Sequence, residues 1–146
     1  MFSEVRSFVC GDGLPRVSAS YWFRAAERRV RGEIAFGIGA EGMPGCVHGG
    51  AISGVFDEAL GLLSWAMGSP VVTRQLNVHF ERFVPVDSVV TIEGQLAEPE
   101  GWLVHGNAVM KDSRGCDHAT VSASFVELDP EIVEKFARRN RRRMRP

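Results

Sequence analysis

Asp57 stands in the middle of a mainly apolar stretch, and no Lys or Arg occurs between Gly32 and Thr73 to neutralise it. A carboxylate removed from water must be hydrogen-bonded, lie at a subunit boundary or hold its proton more tightly than usual. Each condition suits a nucleophile or a general base, whereas the plainer reading has Asp57 and Glu58 simply facing solvent. Adjacent acids cannot point the same way, and Glu58 is expected to be the more exposed or strand-capping one. Immediately before this stretch comes His48-Gly49-Gly50. The first N–H groups of a helix lack intrahelical acceptors and carry the positive end of its dipole, and glycine lets a ligand atom come close to them. Such a turn can hold an oxyanion, or it can serve only as a tight entry into the helix. His48 either polarises a bound carbonyl or caps the turn.

Other constellations fit reactions poorly. Ser53, within Gly50-Ala51-Ile52-Ser53-Gly54, lies inside the expected helix and not at the strand-to-helix elbow of a serine hydrolase. Cys46/His48 and Cys116/His118 have one-residue spacing, which common zinc motifs do not use, so no metal site is expected. No phosphate-binding loop or dinucleotide fingerprint occurs. His79 and His105 fall on polar strand positions and read as surface residues.

These residues need elements to position them. Gly49 to Met67 is apolar on nearly every side, as a buried helix of about five turns would be. Its exceptions, Gly50, Ser53, Gly54, Asp57, Glu58, Gly61 and Ser64, follow steps of three or four residues and make a seam that another backbone could approach. Ahead of it, Ile34, Phe36 and Ile38 alternate as a half-buried strand does, and a Gly/Pro-rich loop follows. After it come four runs of period two. Arg74, Leu76, Val78, Phe80 and Arg82 share one face; Val90, Ile92, Gly94 and Leu96 another; Trp102, Val104, Gly106, Ala108 and Met110 a third; Ala119, Val121, Ala123 and Phe125 a fourth. Short turn-forming connections predict a four-strand antiparallel meander, and one central helix predicts an α+β layer architecture whose sheet wraps it. Tyr21-Trp22-Phe23 reads equally as a strand or a short helix over one end of the core. The expected organisation is an N-terminal segment of unassigned structure over 1–29, a single domain over 30–129, and a short helix with an Arg-rich tail over 130–146.

The 146 residues, 45% apolar and 24% charged, fit one compact domain and exclude disordered, collagen-like and disulfide-scaffold classes. A domain so small encloses only a modest cavity, so a long substrate must lie in a groove or between subunits. Three widely spaced cysteines, Cys10, Cys46 and Cys116, suit reduced thiols. No run approaches the ~18 apolar residues of a membrane span. With Glu4 and Arg6 near the start, a cytoplasmic location is expected. The net charge of -1 conceals a body of -6 over residues 1–129 and a tail of +5 over residues 130–146. That tail is read first as a solvated terminus, with attraction to nucleic acid, membrane or ligand phosphates as the alternative. Neither a membrane nor nucleic acid is expected as a partner.

Gly42-Met43-Pro44-Gly45-Cys46-Val47-His48-Gly49-Gly50, followed by Asp57-Glu58 and Gly61, resembles the pattern of PaaI-like acyl-CoA thioesterases of the hotdog fold, within the 4-hydroxybenzoyl-CoA thioesterase superfamily. Thr73 to Arg82, with Pro85, is similar to that family's strand after the helix, and the likeness extends over about residues 30 to 128. The resemblance implies an antiparallel sheet around one long helix and hydrolysis of an acyl-CoA to free acid and CoA. It implies catalytic roles for Asp57 as nucleophile or general base, for His48, Gly49 and Gly50 as the holder of the thioester oxygen, and for Thr73 in placing water. It also implies a homodimer or dimer of dimers in which the glycine turn of one subunit meets the aspartate of the other. CoA enters as part of the substrate, with Arg82, Gly101 and Trp102 as its expected contacts; no separate cofactor is expected. Two departures stand out: Gly42 replaces an Asn or Gln of some relatives, and Phe83 replaces a frequent Pro. Two other readings are a hotdog module that binds acyl-CoA without turnover and, with no Asp/His pair on the loop and helix to support it, a hydratase.

Overall fold

The computed structural model describes residues 13–143. Six strands form one antiparallel sheet: β1 Val17–Arg24, β2 Arg29–Phe36, β3 Val71–Phe80, β4 Ser88–Leu96, β5 Leu103–Lys111 and β6 Asp117–Glu127. Helix α1, Gly49–Ala66, joins β2 to β3, and α2, Pro130–Arg143, follows β6. The sheet curls around α1, whose Phe56, Leu60 and Leu63 are fully buried against Ile34, Phe36, Ile92, Met110 and Phe125. The close fit depends on glycine: a Cβ at Gly94 would stand 3.1 Å from a Leu60 methyl and 3.0 Å from the Cβ of Ala108. Absence of a side chain there lets the helix settle onto the sheet.

The strand order β1-β2-β4-β5-β6-β3 corrects the expected four-strand meander. β4, β5 and β6 do form one, but β3 lies beyond β6 and β4 pairs with β2. The segment from Glu81 to Asp87 is long enough to cross the ~14 Å occupied by three strand spacings, so nothing obliges β3 to pair with its successor. β1 sits at the other edge, so the sheet begins at Val17, inside the segment left unassigned from sequence. Tyr21 of β1 folds across Gly32 of β2, where a Cβ would come within 2.8 Å of its ring. Burial, and then the Glu58 carboxylate, push the Tyr21 hydroxyl well above the usual phenol range.

α1 also departs from a helix buried all round. Gly50, Gly54, Glu58, Leu62 and Trp65 are exposed along one side, and a Cβ added at Gly54 or Gly61 would meet open space. Ser64, beside Asp57 and Gly61 by helical spacing, is nonetheless buried, and its hydroxyl donates to the Ser69 carbonyl at 2.8 Å. The small-residue seam is therefore the open face of a helix that a single chain covers on one side only.

Candidate active site

The Thr73 hydroxyl donates to Asp57 Oδ1 at 2.5 Å. The helix supplies the acid, and an irregularity in β3 supplies its partner. Thr73 pairs with Phe125 and Gln75 with Ser124, so Arg74 is an extra residue in the ladder. A bulge exchanges the faces on either side of it. Val71 and Thr73 consequently turn toward α1 together with the half-buried Leu76 and Val78, and Asp57 is half-buried between the two elements. Strict alternation, which put Arg74 and Arg82 on the Leu76 face, fails at Arg74 because of the bulge and at Arg82 because β3 ends at Phe80.

At the helix entrance His48 is the N-cap, and its Nδ1 accepts the Gly50 N–H at 2.8 Å. The His48 carbonyl takes the Ala51 and Ile52 N–H groups. Of the two glycine amides, that of Gly50 is thus engaged by the cap. Among the described residues no acceptor takes the Gly49 N–H, and the Phe80 ring stands 3.2 Å from the point where a Gly49 Cβ would be.

The turn is fixed from behind by backbone. His48 N–H donates to the Ala40 carbonyl at 2.7 Å, and Val47 N–H donates to the Val84 carbonyl at 2.8 Å. The Phe83–Pro85 segment is itself held by His118, a residue that sequence reading had paired with Cys116. His118 is buried, with Nδ1 2.9 Å from the Phe83 carbonyl and Nε2 3.3 Å from Asp112 Oδ2. The ring therefore ties the Phe83 carbonyl to Asp112 through its two nitrogens. Asp112 also accepts the Cys116 and Arg114 N–H groups. The Cys116 bond above all, with His118 and Arg114 contributing, holds its carboxyl down at about 2. The sequence signal for this brace was only an Asp six residues before a His across a turn.

The eight candidate residues do not all meet. Gly49 and Asp57 are about 12 Å apart along the helix axis at 1.5 Å per residue, too far to act on one carbonyl within a chain. Arg82 is exposed just past β3, where its N–H donates to the His118 carbonyl at 3.1 Å. Trp102, 76% exposed, lies in the β4–β5 turn that Gly101 makes with φ +66. Its carbonyl accepts the Glu127 N–H, which places it beside the start of β3, at the opposite end of the sheet from Arg82. An open groove of about 660 Å³ bordered by Trp22, Arg29, Arg31 and Gln95 lies on the outer face of β2 and β4, so the sheet separates it from Asp57. Among the described residues no His, Cys, Asp or Glu group has the arrangement of a metal site. Among the described residues no helix is long and apolar enough to cross a membrane.

Residues 44–99 match the family model described as the thioesterase superfamily. The chain is 32% identical over 111 residues to the rat acyl-coenzyme A thioesterase THEM4, covering 75% of this chain and 48% of that protein. Against the bovine acyl-coenzyme A thioesterase THEM4 it is 38% identical over 95 residues, covering 62% of this chain and 38% of that protein. The chain thus spans less than half the length of these two relatives. A hypothetical thioesterase from Streptococcus pneumoniae, solved with coenzyme A, superposes with a TM-score of 0.71 at 17% identity, over 76% of this chain and 86% of that one, a likeness of fold. The six-stranded sheet around α1 is the hotdog fold, and the glycine turn falls inside the stretch that is similar to the thioesterase superfamily.

Proposed function

We propose that this protein hydrolyses the thioester bond of an acyl-CoA, and that it does so as a homodimer whose active sites each draw on both chains. The observation that carries this reading is the separation on α1: the Asp57–Thr73 pair and the Gly49 amide stand two helical turns apart, a gap that a second chain would bridge. β3 is a ten-residue edge strand whose Val72 and Phe80 are 48% and 50% exposed. Such an edge is a template for a second strand. Pairing β3 with its copy around a two-fold axis near Asn77 keeps equivalent faces together and sets the Thr73–Arg74 bulge opposite Phe80 of the partner subunit. Asp57 then meets the partner's Gly49, and the open small-residue faces of the two α1 helices come together. The same axis carries Arg82 toward the partner's Trp102 end of the sheet, so Arg82, Gly101 and Trp102 serve as CoA contacts across the boundary and not within a chain.

In this dimer the thioester oxygen accepts from the Gly49 N–H at the positive end of α1, while His48 fixes the turn by capping Gly50. Thr73 donates to one oxygen of Asp57, which leaves the other to take a proton from water as the water oxygen attacks the carbonyl carbon. The tetrahedral intermediate then collapses, the carbon–sulfur bond breaks, and the proton held by Asp57 passes to the departing CoA sulfur. Direct attack by Asp57, followed by hydrolysis of the anhydride, uses the same geometry. We assign this work to a reducing, cytoplasmic setting in which Cys46 and Cys116 remain thiols. The test is release of free CoA from a panel of acyl-CoAs by wild type and by Asp57→Ala. Release by wild type and its loss in the variant support the assignment; equal rates, or tight binding without release, reject it.

A further inference from the structure

α2 begins well: Asp129 Oδ1 accepts the Glu131 N–H and Pro130 occupies the first helical position. Beyond that start it makes no extensive contact with α1 or with any strand among the described residues. At 100° per residue, Ile132, Val133, Phe136 and Ala137 fall on one side, Glu131, Glu134, Lys135 and Arg138 on the other, and Arg139 borders the apolar side next to Ile132. Ile132 is 45% exposed and Phe136 57% exposed, so the apolar side has no cover. On the charged side Arg138 pairs with Glu134 at 2.5 Å, and the sequence over 130–146 carries a net charge of +5.

We propose that α2 is a membrane-surface helix that lies on bilayers rich in anionic lipid. A short helix with bulky apolar residues on one side, charged residues on the other, an arginine-rich end and few apolar residues in all has the composition of an interfacial helix. Its charge complements anionic headgroups, while Ile132 and Phe136 enter the headgroup boundary. The absence of a spanning segment, from which sequence reading expects no membrane partner, does not bear on a helix that lies flat. The acidic remainder of the chain, with a charge of -6 over residues 1–129, would be repelled by the same surface, which leaves α2 as the point of contact.

The experiment is flotation of the full chain with vesicles of phosphatidylcholine alone and with about one third phosphatidylserine, at low and physiological salt. Wild type is expected to float with the anionic vesicles, less at higher salt, and to stay behind with the neutral ones. Ile132→Gln with Phe136→Gln, which leaves every charge in place, should lower partitioning at least about tenfold. Arg138→Gln with Arg139→Gln should lower it by about fivefold for each arginine. Unchanged far-ultraviolet circular dichroism and thermal unfolding would show that the variants remain folded. Failure of wild type to bind, equal binding to neutral vesicles, or undiminished binding by the Ile132/Phe136 variant would overturn the proposal. So would dissociation of an oligomer by that variant with vesicle binding intact, since the stripe would then be covered by a second copy.

Discussion

The two ends of the site are built from the same helix and the same strand, yet they are held in different ways. At the entrance of α1 the turn is fixed by main-chain bonds, from His48 to Ala40 and from Val47 to Val84, and only the cap uses a side chain. Two turns along, the acid is fixed by one side-chain bond, Thr73 to Asp57, on the helix face the chain leaves open. Backbone donors hold their place whatever the neighbouring side chains do, whereas a side-chain base is lost with one substitution. The entrance is therefore vulnerable to crowding and to loosening of its support, and the acid end to direct replacement.

The largest effect should come from the acid. Asp57→Ala removes the proton acceptor and is expected to lower kcat by about 10³-fold in the CoA-release assay, with little change in thermal stability. Next comes crowding of the entrance: Gly49→Val drives side-chain atoms into the Phe80 ring and should lower kcat by about 10²-fold. In a Phe80→Ala background the same substitution should cost less, a nonadditivity that separates collision from loss of the amide itself. Thr73→Val should lower kcat by about tenfold while Thr73→Ser stays within about twofold, because serine retains the donor.

The extent to which these contrasts were legible in the sequence follows from what is local. His48-Gly49-Gly50 and Asp57 lie on one element, so their separation is fixed by helix geometry as soon as the helix is recognised. Thr73 was assigned by resemblance, but the bulge at Arg74 that turns it toward Asp57 depends on β6 and has no mark in the alternation. β3 was likewise placed beside β4 because turn residues separate them, while the pairing of β2 with β4 is a long-range choice that periodicity does not encode. Arg82 and Trp102 were grouped by family likeness, and the strand order sets them at opposite ends of one chain. Ser64 keeps its place in the seam, yet the turn after the helix folds back on it and buries it, with hydrogen bonds between Ser64 and Ser69.

The smallest expected effect concerns the support of the entrance. Asp112 has its carboxyl depressed from 3.8 to about 2 in the folded protein. The stability it contributes is complete above about pH 4 and is lost as pH falls through about 2. Asp112→Asn should accordingly lower the thermal midpoint at neutral pH, and the gap from wild type should close as the solution is acidified through that window. Because His118 joins Asp112 to the Phe83 carbonyl, the same variant should weaken activity modestly without touching the Asp57–Thr73 pair.

A site that takes its base from one chain and its oxyanion donor from the other can be rebuilt by mixing two dead enzymes. Asp57→Ala and Gly49→Val chains, unfolded together in equal amounts and refolded, form mixed dimers in which one site has both mutations and the other has neither. Random pairing makes about half of the dimers mixed, so CoA release should return to about one quarter of the wild-type rate. No recovery, with mixed dimers demonstrated by a tag on one variant, would mean that both groups act within a single chain and would contradict the account.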